Sequence, residues 1–328
     1  MTELSIYETS ILSLGALFLG IIMLIKGGNW AVDAAVFVAY RFNISPMIVG
    51  FTIIAMGTSL PELVVSVVAN LQGSPGIAIG NVLGSNIANI LMVLGCSALF
   101  LPLVSKISMA LVRDLVFMII VTAALSGLLF YGEISRITGL MMFATLLAYI
   151  FVQYKMGDDN FEPDDDMSEL PFKNSLSALG TLFIGLASIA IGAEFLVNGA
   201  KVSAHLMGVP ESVIALSIIA FGTSLPELST SIIAARKGET GIVIGNIVGS
   251  NVFNILMIIG LSSAVKPILD GSFSPQLATF DSLVTLLIAI VFTIILLVMG
   301  RINKITGVFF LFLYIAYNVY IYTANIAV

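Results

Sequence analysis

Apolar residues fill this chain in long runs, and the polar positions that interrupt them come at regular intervals. A membrane-spanning helix needs about 20 predominantly apolar residues. Breaks at Gly, Pro and charged clusters leave ten runs of that length: 11–39, 45–71, 77–100, 109–131, 135–155, 175–204, 211–235, 242–265, 277–299 and 303–325. One hydrophilic stretch, Gly157 to Asn174, divides them five and five. The pattern predicts an all-α polytopic protein in one membrane domain. Residues 1–156 form the first five helices, 157–174 an acidic linker, and 175–328 the second five.

The halves repeat. Residues 50–95 align without a gap on residues 215–260, at a constant offset of 165, with 26 identities in 46 positions. GTSLPEL (57–63) and GNVLGSNIANILM (80–92) return as GTSLPEL (222–228) and GNIVGSNVFNILM (245–257). The same offset maps Gly20 on Gly185 and Gly27 on Gly192. With an odd number of helices per half, the second copy enters the membrane from the opposite side. Two inverted five-helix repeats are therefore expected, related by a pseudo-two-fold axis in the membrane plane. Secondary transporters are built in this way, with their sites near the midplane at the repeat interface.

Composition excludes a soluble fold. Of 328 residues, 59% are hydrophobic and 10% charged, with mean hydropathy +1.11, against about 45–50% and about 25% in soluble domains. The one cysteine (Cys96) and one histidine (His205) leave no disulfide, thiolate metal site, His-rich zinc site or haem site. Net charge is −6, but seven acids sit in the linker and the remainder is near neutral, so no basic footprint for nucleic acid exists. Glu3 and Glu8, with no basic residue before the first apolar run, argue against a cleaved signal peptide.

Basic residues set the expected orientation. With the N-terminus outside, Arg41, Lys106, Arg113, Lys155, Lys173, Arg236, Lys237, Arg301 and Lys304 fall on the cytoplasmic side, against Arg136, Lys201 and Lys266 outside. Nine against three makes both termini extracellular and the 157–174 linker a cytoplasmic tether.

Glu62 and Glu227 fall inside predicted helices at matching repeat positions. A mid-bilayer carboxylate is costly unless it faces protein interior or water, which marks a functional site. On a continuous helix Thr58, Ser59 and Ser66 share the face of Glu62. Thr223, Ser224 and Ser231 do the same for Glu227. Asn81, Ser85 and Asn89 form an i, i+4, i+8 stripe, repeated by Asn246, Ser250 and Asn254. Two carboxylates among hydroxyls and amides make an all-oxygen site suited to hard cations such as Ca²⁺. Pro61 and Pro226 each remove an N–H bond, freeing the carbonyls of Gly57 and Gly222. The pairs Gly80–Gly84 and Gly245–Gly249 read as close helix packing. Lys26, Glu194 and His205, near helix kinks or ends, read as snorkelling or locally paired groups.

GTSLPEL with GNVLGSNIANI, and GTSLPEL with GNIVGSNVFNI, resemble the paired α-repeats of the sodium/calcium exchangers, prokaryotic type, within the cation/calcium antiporter superfamily. The resemblance covers essentially the whole chain. It implies that Glu62 and Glu227 carry the calcium ligands. Thr58, Ser59, Thr223, Ser224, Ser85 and Ser250, with the carbonyls of Ala55 and Ala220, would line flanking sodium sites. Asn89 would stand opposite Asn254 across the pseudo-two-fold. It further implies alternating access, with helices 1 and 6 sliding over an eight-helix core. Na⁺ and Ca²⁺ would be the transported ions, with no separate cofactor, no enzymatic activity and a monomer sufficient for transport in the cell (inner) membrane.

One departure concerns Asn254, where many relatives carry Asp. With Asn in both repeats the site holds two formal negative charges. GNVLG and GNIVG stand where proton-coupled relatives place glutamate in GNxxE, which favours sodium. Ca²⁺/H⁺ exchange is the alternative, because a buried carboxylate can carry a proton. A passive cation channel is a second, and the absence of HExxH or paired catalytic Asp motifs argues against an intramembrane enzyme.

Overall fold

The structure, a computed structural model, describes residues 6–105, 107–156, 171–172, 174–207 and 222–326. The first helix, α1 (Ile6–Arg41), leads to a broken pair, α2 (Pro46–Thr58) and α3 (Leu60–Leu71). Then come α4 (Pro75–Phe100), α5 (Met109–Tyr131) and α6 (Arg136–Met156). The second half runs α7 (Ser175–Leu206), α8 (Leu225–Arg236), α9 (Thr240–Val265), α10 (Leu277–Met299) and α11 (Lys304–Ile326). Among the described residues eight helices are long and apolar enough to cross a membrane, or nine if α2 and α3 form one span. The opening part of the expected 211–235 helix and nearly all of the linker lie outside the described residues.

Local chemistry sets the boundaries. Ser108 caps α5 by accepting from Leu111 N at 3.1 Å, and Gly132, at φ +94°, ends it in the left-handed conformation that glycine tolerates. The pattern over 45–71 reads as one helix, but the chain bends by 46° at Ser59, two residues before Pro61. Proline has no N–H to continue the ladder, and its ring clashes with the preceding turn. Pro61 is therefore accommodated in the first turn of a new helix, α3. Among the described residues four π-turns, at Gly50–Ile54, Asn89–Val93, Asn254–Ile259 and Leu277–Asp281, widen α2, α4, α9 and α10.

The core sits between the halves. The apolar span of α9 is buried throughout, and that of α4 mostly so. The peripheral helices turn Phe18, Ile22, Ile137, Phe183, Val298 and Ile305 outward, where acyl chains would cover them. Backbones approach closely where side chains are missing: Gly245 and Gly249 of α9 lie against the backbones of Met47 and Phe51 in α2. Gly80 and Gly84 have no such backbone neighbour among the described residues. Helices α1 and α7 cross antiparallel through glycines. A Cβ on Gly20 would fall 2.6 Å from the Gly192 carbonyl, and one on Gly27 2.7 Å from that of Gly185. At the centre of this crossing Ser188 Oγ donates to the Met23 carbonyl at 3.1 Å. Strands β1 (Leu103–Val104) and β2 (Arg301–Ile302) pair antiparallel and tie the α4–α5 and α10–α11 connections together.

Candidate cation site

The break at Ser59 shapes the site. Glu62 lies in the first turn of α3 and Glu227 in the first turn of α8, behind Ser224, which has the same bridge-region backbone as Ser59. Each carboxylate thus stands at a helix N-terminus, where unpaired N–H groups and the helix dipole favour negative charge. Glu62 is wholly buried and Glu227 is 1% exposed. The two are within electrostatic range of each other.

Thr58, Ser59 and Glu62 do not share the one continuous helical face that their spacing predicts, and neither do Thr223, Ser224 and Glu227, because Ser224 likewise stands just before the helix that carries the carboxylate. Thr58 ends α2 and Ser59 forms the bend. The hydroxyls of Thr58 and Ser59 turn to the other half. Ser59 Oγ donates to Glu227 Oε1 at 3.5 Å, and Thr58 also reaches that carboxylate. Thr58 Oγ1 donates to the Ala55 carbonyl at 3.3 Å, which also accepts from Ser59 N at 3.0 Å.

The stripes divide into two roles. Asn81 Nδ2 donates to Ser66 Oγ at 3.0 Å and to the Glu62 carbonyl at 3.3 Å. Asn246 Nδ2 donates to Ser231 Oγ at 3.0 Å, and Ser250 Oγ to Asn246 Oδ1 at 3.5 Å. These asparagines brace α4 and α9 against the carboxylate-bearing helices. Deeper along the stripes Asn254 Nδ2 donates to Asn86 Oδ1 at 3.0 Å, and Asn86 Nδ2 to the Asn251 carbonyl at 3.2 Å. Asn86 and Asn251 do not stand out on the sequence stripes. Their signal is the repeated GSN triplet that places one Asn beside each serine.

Several buried atoms have no partner among the described residues: both carboxylate oxygens of Glu62, Glu227 Oε2, Ser224 Oγ, both amide atoms of Asn89 and Asn254 Oδ1. Buried polar atoms are ordinarily paired. At the site the unpaired ones are oxygens, apart from one amide nitrogen, and belong to residues singled out in both repeats; Asn70 Oδ1, Arg113 Nη2, Gln153 Oε1, Ser262 Oγ and Thr293 Oγ1 are unpartnered elsewhere. Oxygen-rich surroundings of this kind suit a dehydrated hard cation. Ser85 is buried and Thr223 is half-buried. Ala220 lies outside the described residues.

A polytopic helical bundle with two buried carboxylates at helix breaks, amid polar atoms left without partners, has the makings of a membrane ion transporter. The family is explicit: the profile of the sodium/calcium exchanger protein family matches residues 12–155 and 177–323, and the chain belongs to that family. The putative antiporter CaxA of Alkalimonas amylolytica is 36% identical over 316 residues, covering 93% of this chain and 97% of the relative. The sodium/calcium exchanger MaX1 of Methanosarcina acetivorans is 32% identical over 347 residues, covering 93% and 97%. The solved structure of the sodium-calcium exchanger NCX_Mj superposes with a TM-score of 0.80 at 31% identity, covering 94% of this chain and 98% of that one.

Proposed function

We propose that this protein is a Na⁺-driven Ca²⁺ antiporter working by alternating access. The observation that carries the reading is the pair Glu62 and Glu227, buried at equivalent repeat positions with three of their four carboxylate oxygens unpartnered. Ca²⁺ would take its charge balance from these two groups. Na⁺ would be held by the hydroxyls of Thr58, Ser59, Thr223, Ser224, Ser85 and Ser250 and the carbonyls of Ala55 and Ala220. Asn89 and Asn254 supply neutral oxygens.

The inverted-repeat, ten-helix architecture belongs to the same proposal and is supported by contacts that exchange under the offset of 165. Gly20 meets Gly192 as Gly27 meets Gly185, and Met23 meets its own counterpart, Ser188, as Asn86 meets Asn251. A two-fold relation requires such reciprocity. The proposal places both termini outside the cell and the linker in the cytoplasm, in the cell (inner) membrane, with a monomer sufficient.

The test is ⁴⁵Ca²⁺ uptake into proteoliposomes preloaded with Na⁺, K⁺ or protons alone. Uptake driven by Na⁺ alone is expected. Uptake driven by a proton gradient without Na⁺ would make protons the coupling ion, and uptake without any counter-ion gradient would indicate a channel.

A further inference from the structure

Among the described residues two buried carboxylates remain outside the cation site. Asp114 on α5 is 1% exposed and accepts from Tyr149 Oη of α6 at 2.6 Å. Asp281 on α10 is 4% exposed and accepts from Tyr317 Oη of α11 at 3.0 Å. Helix α10 follows α5, and α11 follows α6, at an offset of 168. The two aspartates are 167 residues apart and the two tyrosines 168. An aspartate–tyrosine pair therefore occurs once in each half; Tyr317 is only part-buried, and Asp114 also accepts from Arg113 Nε at 2.9 Å and from Gln153 Nε2 at 3.0 Å. Joining two helices does not require such a pair, because well-packed apolar side chains do that without desolvating a charge. What the pair adds is direction: a hydrogen bond to the carboxylate, short at Asp114, fixes where the tyrosine ring lies.

The rings lead to the ion-ligand turns of the opposite halves. Tyr149 stacks on Phe117 at 3.5 Å and lies 5.8 Å from Phe51, in the π-turn of α2. Phe51 in turn meets Phe253 at 6.4 Å, edge to face. Phe253 is the residue before Asn254, and Ala55 follows Phe51 one helical turn on. In the other half Tyr317 shares an apolar cavity with Leu91, which lies in the π-turn that begins at Asn89. Helix α6 packs on the Asn254 turn and α11 on the Asn89 turn.

We propose that Asp114–Tyr149 and Asp281–Tyr317 are positioning pairs that hold the Asn254 and Asn89 turns in register for cation binding, each acting on the turn of the other half. The proposal rests on the assignment of the cation site above. Its test uses Tyr149→Phe, which keeps the ring and removes the hydroxyl, together with Asp114→Asn, the double variant and Tyr317→Phe. In Na⁺-driven flux the half-saturating Na⁺ and Ca²⁺ concentrations should rise by up to about a hundredfold, the equivalent of one hydrogen bond to a charged group, with little change in maximal rate. The double variant should cost less than the sum of the two single effects, because Asp114→Asn takes the charge from the same bond that Tyr149→Phe breaks, besides loosening the contacts of Asp114 with Arg113 and Gln153.

Equilibrium ⁴⁵Ca²⁺ binding to purified protein should show the same rise in dissociation constant. If the variants unfold at lower temperature while binding and half-saturation stay at wild-type values, the pairs only staple helices and the proposal is overturned. If wild type binds Ca²⁺ but shows no Na⁺-driven flux, the antiport reading fails. The binding measurement still decides the positioning role.

Discussion

Replacing Glu227 or Glu62 by Gln removes one of two negative charges while keeping the side chain's shape. No described hydrogen bond need be lost: Glu62 has no partner at either oxygen among the described residues, and the Gln carbonyl at 227 can still accept from Ser59. The effect therefore falls on the ion. A unit charge pair about 4 Å apart at an effective dielectric of about 20 is worth about 4 kcal/mol, and a divalent ion doubles the attraction. Rehydration of the released ion and the remaining amide dipole recover part of this. Breaking one partner of a buried charge pair costs about 3–5 kcal/mol net, or two to three and a half decades in affinity at about 1.4 kcal/mol per decade. Na⁺ loses half as much Coulomb energy, so its affinity should fall by fewer decades than that of Ca²⁺. The assay is ⁴⁵Ca²⁺ and ²²Na⁺ binding and counterflow with each variant, reconstituted after passing as a monodisperse species. Ca²⁺ affinity within threefold of wild type in either variant would remove that carboxylate from the site and with it the charge argument.

Asn254 donates to Asn86, so Asn254→Leu should lose both this bond and a ligand oxygen and weaken Na⁺-coupled exchange at every pH. Asn254→Asp should instead give a flux that depends more steeply on pH than wild type, since an ionised Asp cannot donate and adds a third charge. Three superimposable flux–pH curves would reduce Asn254 to packing. A single cysteine at Ser168 in a Cys96→Ser background should react with an impermeant thiol reagent in inside-out vesicles and not in intact cells. Labelling from outside would invert the orientation. Lys237 Nζ holds Asp33 Oδ1 at 2.5 Å, joining α1 to the α8–α9 connection, with both side chains about 30% exposed. Such pairs contribute about 0–1 kcal/mol. Asp33→Asn should therefore change the Na⁺-driven transport rate by no more than about fivefold, with the difference fading as salt rises. A change that persisted undiminished at high salt would rule out the ion pair as its source.

Most of the helical plan was legible because membrane helices carry strong, redundant signals. The expected spans 109–131 and 277–299 match α5 and α10 end for end, since Ser108, Gly132 and Gly300 act at the termini through local backbone chemistry. Glu62, Glu227 and the asparagine stripes were legible as polar residues recurring in apolar runs. Three things were not. The bend at Ser59 is hidden because a tally of apolar positions does not register a missing N–H, although Pro61 marks the place. The π-turns are invisible because one extra residue in a turn barely alters helical periodicity. The partnership of Ser59 with Glu227 depends on how the halves meet, which a sequence repeat implies only in outline. Asp114 and Asp281 did carry a signal, as acids in matching apolar runs, and Tyr149 and Tyr317 completed it 35 and 36 residues further on.

The glycine crossing of α1 and α7 has a thermodynamic corollary. Exchanging the two halves maps Gly20–Gly192 onto Gly27–Gly185 and leaves the contact unchanged. If the two helices slide as one body over the core, this contact weighs equally in the inward-open and outward-open arrangements. It is a bearing with no preferred direction, and any resting bias must come from positions where the halves differ. Asp33 and Lys237 are such positions: their counterparts at the offset of 165 are Asn198 and Gln72, both neutral. The described arrangement has an ion pair between α1 and the α8–α9 connection, and its mirror arrangement would bring an amide to an amide. Which side of the membrane the empty carrier faces would then be adjustable at its rim, by charge substitutions that leave both the bearing and the cation ligands as they are.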